Sequence, residues 1–126
     1  MASSRASEHQ EQVAVVQWFD RQFPDLRGRL FAVPNGGHRH KAVAGKLKAE
    51  GVRPGVPDLW LPVPVNGYHG LQIELKAKGG RPTASQLDWL EFLAGQGYVA
   101  ALYQGADAAI ETIRNYLGQG VMDEQR

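Results

Sequence analysis

The chain has no cysteine, which excludes disulfides and thiolate metal sites together. It also has no apolar run long enough to cross a bilayer, so a membrane span is not expected. The stretch Met1 to Gln10 is polar and lacks the apolar segment of a secretory signal, and an intracellular, cytoplasmic protein is expected by default. No internal repeat or low-complexity segment is present. What remains is 126 residues of ordinary soluble composition, 43% hydrophobic and 21% charged. That length suits one domain over residues 1–126, with flexible tails expected at 1–7 and 118–126.

There is little net charge, formally +1, but it is unevenly spread. Between Arg27 and Arg53 seven basic side chains (Arg27, Arg29, Arg39, Lys41, Lys46, Lys48, Arg53) meet one acidic residue, Glu50. From Ala84 onward, six acidic residues oppose only Arg114 and Arg126. Because steering depends on local fields, the first region suits a polyanion and the second does not.

Periodicity and breakers give the element order. Glu8 to Asp20 reads as a helix, with Val13, Val16 and Phe19 three apart and Glu8, Glu11 and Gln12 on the other face. Arg29 to Val33 reads as a strand, closed by the turn Pro34-Asn35-Gly36-Gly37. His38 to Glu50 reads as a second helix with Val43 and Leu47 toward the core. Asp58 to Leu61 and Leu71 to Lys76 read as a hairpin joined near Asn66-Gly67. A helix over Thr83 to Ala94 with Leu87, Leu90 and Ala94 on one side, a strand over Tyr98 to Tyr103, and a helix over Ala106 to Leu117 with Ala109, Ile110 and Ile113 inward complete the chain. Such an order predicts an α/β fold, a mixed sheet with helices on both faces and the hairpin at its centre.

The chemistry concentrates on that hairpin. Glu74 and Lys76 are two apart, so their side chains leave one strand face with Gln72, while Leu71, Ile73 and Leu75 take the other. An exposed polar strand face explains that row by itself. Folding Asp58 back beside Glu74, however, brings two carboxylates together, which is costly unless a cation lies between them. Oxygen donors without cysteine suit Mg²⁺ or Mn²⁺.

A register condition follows. A strict two-residue turn at Asn66-Gly67 would set Asp58 opposite Leu75 and point the carboxylates to opposite faces. The ladder must therefore slip by one, and Pro62 and Pro64, which donate no ladder hydrogen bond, mark the place for a bulge or longer loop.

Pro57-Asp58 followed by Glu74-Leu75-Lys76 resembles the PD-(D/E)XK nuclease signature. With Pro34-Asn35-Gly36-Gly37-His38-Arg39 upstream and Ser85-Gln86 downstream, the chain resembles the virus-type replication-repair nuclease (VRR-NUC) family over nearly its whole length. The resemblance implies a restriction-endonuclease-like core and a metal-dependent DNA endonuclease of the stand-alone phage or bacterial type. It further implies kinship with Holliday junction resolvases and a homodimer, whose two-fold axis suits a four-way junction.

The site residues expected on this basis are Asp58, Glu74, Lys76 and Gln86 for catalysis. Glu8, Asp58, Glu74 and the backbone carbonyl of Leu75 are expected to hold the metal. Glu8 and Gln12 match the family's acidic and Gln positions on the first helix, and Glu11 competes with Glu8. Gln86 also completes the capping-box pattern Thr83-Ala84-Ser85-Gln86. Asn35, Gly36, Gly37, His38, Arg39, Lys41 and Lys48 are expected to grip the DNA backbone. His38 and His40 point to different helix faces and are not a ligand pair, and Trp18, Trp60 and Trp89 are assigned to core or dimer interface. A non-catalytic DNA-binding module of the same fold, a nuclease requiring a partner protein, and an unrelated α/β interaction module are the rival readings.

Overall fold

The computed structural model describes residues 6–34 and 41–124. Helix α1 spans Glu8–Gln22 and starts where Ser7 and Gln10 satisfy each other: Gln10 N donates to Ser7 Oγ at 3.1 Å and Ser7 N to Gln10 Oε1 at 2.9 Å. A short edge strand β1 (Phe31–Ala32), helix α2 (Lys41–Ala49), strands β2 (Leu59–Leu61) and β3 (Leu71–Lys76), helix α3 (Ala84–Gly95), strand β4 (Val99–Gln104) and helix α4 (Ala106–Glu124) follow. This is the element order expected from periodicity, although α4 runs past Leu117 to Glu124. Gly118 reads as a stop, yet a glycine inside a helix costs only about 1 kcal/mol. Among the described residues no helix is long and apolar enough to cross a membrane.

The four strands form one mixed sheet in the order β1-β2-β3-β4. β2 runs antiparallel to β1 and β3, and β4 lies parallel to β3, so the hairpin is central. Val15 and Phe19 of α1, Ala109, Ile113 and Tyr116 of α4, and Leu59, Leu61, Leu71, Ile73 and Leu75 of the sheet form one buried cluster. Helices α1 and α4 therefore cover one face. α3 covers the other, where Gln86 reaches Glu74 across 3.1 Å.

Helix orientation departs from the simple periodic reading in three places. In α1 the buried residues are Val15 and Phe19, while Val13 is exposed. Glu8, Gln12, Val15 and Phe19 follow the spacing of a single helical stripe, so the polar residues assigned to the outer face extend the core-facing one. In α3 Leu90 and Leu93 face inward, whereas Leu87 and Ala94 are exposed. In α2 Val43 is exposed and Leu47 half-buried.

Candidate active site

The hairpin carries two registers. At its tip Val65 pairs with Tyr68 around a two-residue turn, with Asn66 at φ 53° and Gly67 at φ 88°, the positive dihedrals that such tight turns require. At its base the ladder pairs Leu59 with Ile73, Trp60 with Gln72 and Leu61 with Leu71. Between them Pro62, Val63 and Pro64 face only His69 and Gly70, so one strand carries an extra residue. Val63 N folds back onto Leu61 O at 2.9 Å, and Tyr116 Oη donates to Val63 O at 2.6 Å, fixing the bulge against α4. Continued by one residue, the ladder sets Asp58 opposite Glu74. The slip that the carboxylate pair requires is present, at Pro62 to Pro64, and both carboxylates lie on one face.

Asp58 is held from three sides. Its carbonyl accepts from Val33 N at 2.8 Å beyond the end of β1, and its Oδ2 accepts from Leu75 N at 2.8 Å. The preceding loop is seated on α3: a Cβ on Gly55, which sits at φ +86°, would lie 2.6 Å from the backbone of Ser85. Only glycine allows this approach, and it is a positioning residue that the sequence reading passed over. Because N–H and C=O of one strand residue point to the same edge, the bond from Leu75 N to Asp58 also directs the Leu75 carbonyl toward Asp58.

Glu74 is 1% exposed although it lies on the polar row, so the alternative of a solvated strand face does not hold at this position. Gln86 makes two bonds in one conformation. Its Oε1 accepts from Thr83 N at 2.8 Å, capping α3, while its Nε2 donates to Glu74 Oε2 at 3.1 Å. The cap and the contact with the site are thus simultaneous. Oε1 of Glu74 is buried with no hydrogen-bond partner among the described residues. Burial, a hydrogen bond with Asp58 and the charge of Asp58 raise the Glu74 carboxyl from 4.5 to about 8; Lys76 opposes this and the charge of Glu8 adds to it. Two facing carboxylates have no donor to share unless one keeps a proton. A cation would supply what the orphan oxygen lacks, so the donor set fits a hard divalent metal.

Lys76 is half-buried on the same row, and its stem packs against Gly80, where a Cβ would come within 3.3 Å of Lys76 Cβ. Glu11 is committed elsewhere: its Oε1 accepts from Ala106 N at 3.1 Å at the start of α4. Glu8, exposed in the first turn of α1, is the carboxylate of that helix whose charge reaches Glu74. Among the described residues no three His, Asp or Glu side chains are gathered closely enough to hold one ion. The structure therefore assembles Asp58 and Glu74, with Glu8 standing apart. Gln12 is half-buried on the same stripe of α1. Asn35, Gly36, Gly37, His38 and Arg39 lie outside the described residues, as does the side chain of Lys41, while Lys48 is exposed on α2.

A second polar residue on this face, Gln72, is 1% exposed, and neither of its amide atoms has a partner among the described residues. Of the tryptophans, Trp18 lies against Phe23 and under the Arg114 guanidinium, 5.4 Å from its ring, whereas Trp60 and Trp89 line a cavity beside the site.

A four-stranded mixed sheet flanked by helices, with an acidic pair and a lysine on its central hairpin, defines an α/β protein of the restriction-endonuclease-like, PD-(D/E)XK class. The VRR-NUC domain model matches residues 6–107, and the chain belongs to the VRR-NUC family. A solved structure described as a VRR_NUC domain protein is similar at a TM-score of 0.82 and 32% identity, covering 93% of each chain. Comparison with curated proteins finds no match.

Proposed function

We propose that the protein is a Mg²⁺- or Mn²⁺-dependent endonuclease that hydrolyses phosphodiester bonds in branched DNA, four-way junctions foremost, as a homodimer. The observation carrying this reading is the slipped hairpin, which opposes Asp58 to Glu74, with Glu74 Oε1 buried and unpartnered among the described residues. Asp58, Glu74 and the Leu75 carbonyl would hold the ion; Glu8, whose charge reaches Glu74, stands outside that set and would have to move inward to join it. The ion, when bound, supplies a nucleophilic water at neutral pH and polarises the scissile phosphate.

The chain's own residues do the rest. Leu75 N fixes Asp58, and the Gln86 amide fixes Glu74. The Lys76 ammonium stands beside the attacked phosphate and stabilises its developing negative charge. Lys48, with the other basic residues between Arg27 and Arg53, holds the phosphate backbone. The branched-DNA substrate and the dimer are supported by the family resemblance and by the match of a two-fold protein to a two-fold junction.

The test is cleavage of four-way junction, flap, single-stranded and duplex DNA with Mg²⁺, Mn²⁺ or EDTA, comparing wild type with Lys76→Ala of equal purity. Junction cleavage that needs metal and falls at least ~100-fold in Lys76→Ala is expected. Tight junction binding without cleavage by wild type would sink the catalytic reading and leave a DNA-binding module.

A further inference from the structure

Beside the acidic pair lies a cavity of about 500 Å³, within the range of small-molecule sites, between the loop after α2, β2 and α3. Its walls include the indoles of Trp60 and Trp89, with Pro34 and Val52; Arg53 and Glu50 are its charged residues among those described. We propose that this cavity takes one unstacked nucleobase of the DNA strand at the cleavage site, a reading that rests on the nuclease proposal.

Trp60 is held in place, and Trp89 has a ring neighbour. Trp60 Nε1 donates to Pro57 O at 3.0 Å, and its ring meets Tyr98 edge-on at 6.3 Å. Trp89 meets Phe92 edge-on at 6.0 Å. Fixed aromatic walls lose little freedom when a flat ring enters, and every base offers a π face to such a platform.

Position and charge select the occupant. Trp60 follows Asp58 by two residues on the same strand face, so the cavity begins about 7 Å along β2 from the acidic pair. A strand whose phosphate sits at Asp58 and Glu74 places a neighbouring base within that reach. Arg53 donates to Lys48 O at 3.4 Å, tying the cavity to the end of α2, whose last turn carries Lys46 and Lys48. Arg53 offsets Glu50 in the wall, and Lys46 and Lys48 on the adjoining turn of α2 add two cations beyond it, which favours a polyanion over an acidic or neutral peptide, while the indole walls ask for an apolar, planar group. A nucleotide combines the two.

The test separates base capture from cutting. Branched DNAs carrying one abasic residue, moved stepwise through the strand near the branch, are titrated by fluorescence anisotropy in EDTA against the full-length wild type, Trp89→Leu and Trp89→Phe. One or two adjacent abasic positions weaken wild-type binding about ten-fold. Trp89→Leu binds intact DNA about ten-fold more weakly and shows no further loss at those positions, and Trp89→Phe recovers both. Arg53→Gln weakens binding to all the DNAs and lowers its salt dependence. No sensitive position in wild type, or the same abasic loss in Trp89→Leu, overturns the proposal. Loss of self-association in Trp89→Leu with unchanged abasic sensitivity overturns it too, marking a protein contact. Because binding is read without metal, failure of cleavage and failure of base capture are separate results.

Discussion

On one face of β3, Leu71, Ile73 and Leu75 are at most 1% exposed and join one apolar cluster with α1 and α4; on the other, Gln72 and Glu74 are equally withdrawn, yet three of their polar atoms have no hydrogen-bond partner among the described residues. Burial alone therefore does not distinguish the faces; the satisfaction of what is buried does. The apolar face is finished by the fold itself. The polar face is not finished by the described residues, and it contains the acidic pair and Lys76.

The contrast can be broken from either side. On the apolar face, Ile73→Ala removes a fully buried side chain and should cost about 3 kcal/mol in denaturant unfolding. Loss of stability below ~1 kcal/mol would show that this face is less tightly packed than described.

On the polar face the sign reverses. Glu74 is raised to about 8 in the fold against an ordinary 4.5, so its neutral form is the favoured one. Its contribution to stability is fully present below pH 4.5, declines as pH rises through that window, and is gone above about 8. In EDTA at pH 8, Glu74→Gln should melt several degrees above wild type, with the gap closing near pH 4.5. Millimolar Mg²⁺ should raise the melting temperature of wild type and leave that of Glu74→Gln nearly unchanged. A variant that melts below wild type at pH 8 without metal would contradict the raised carboxyl.

The smallest effect sharpens the comparison. Gln72→Met replaces two unpartnered buried atoms by an apolar chain of similar length and should stabilise by about 1 kcal/mol. A loss instead would place a bridging water on the Gln72 amide, making this half of the face complete and Glu74 the one open position.

Sequence reasoning reached the element order, the central hairpin and its slipped register, because two prolines and one turn leave few ways to bring Asp58 and Glu74 to one face. It did not reach the rotation of the helices. Apolar residues three or four apart fit several stripes, and the choice in α1 and α3 was made by polar groups: Glu11 reaches Ala106, and Gln86 reaches Glu74. That second contact leaves Leu90 and Leu93 inward and Leu87 out. Gly55 was equally hidden, since its need for closeness to Ser85 arises only when residues far apart in the chain meet. The burial of Gln72 and Glu74 escaped because alternation reveals which residues share a face, and another element decides whether that face is wet.

The bulge at Pro62 to Pro64 makes the candidate active site a matter of parity. Strand alternation ties Asp58 to the face opposite the buried Leu59 and Leu61, and Glu74 to the face opposite Ile73 and Leu75, so a ladder slipped by one residue could part the carboxylates only by turning an apolar row out of the core. An odd residue added or lost between the tip turn and the strand bases is therefore taken up in the bulge, and the meeting of Asp58 and Glu74 is guarded by the same apolar rows that hold the sheet together.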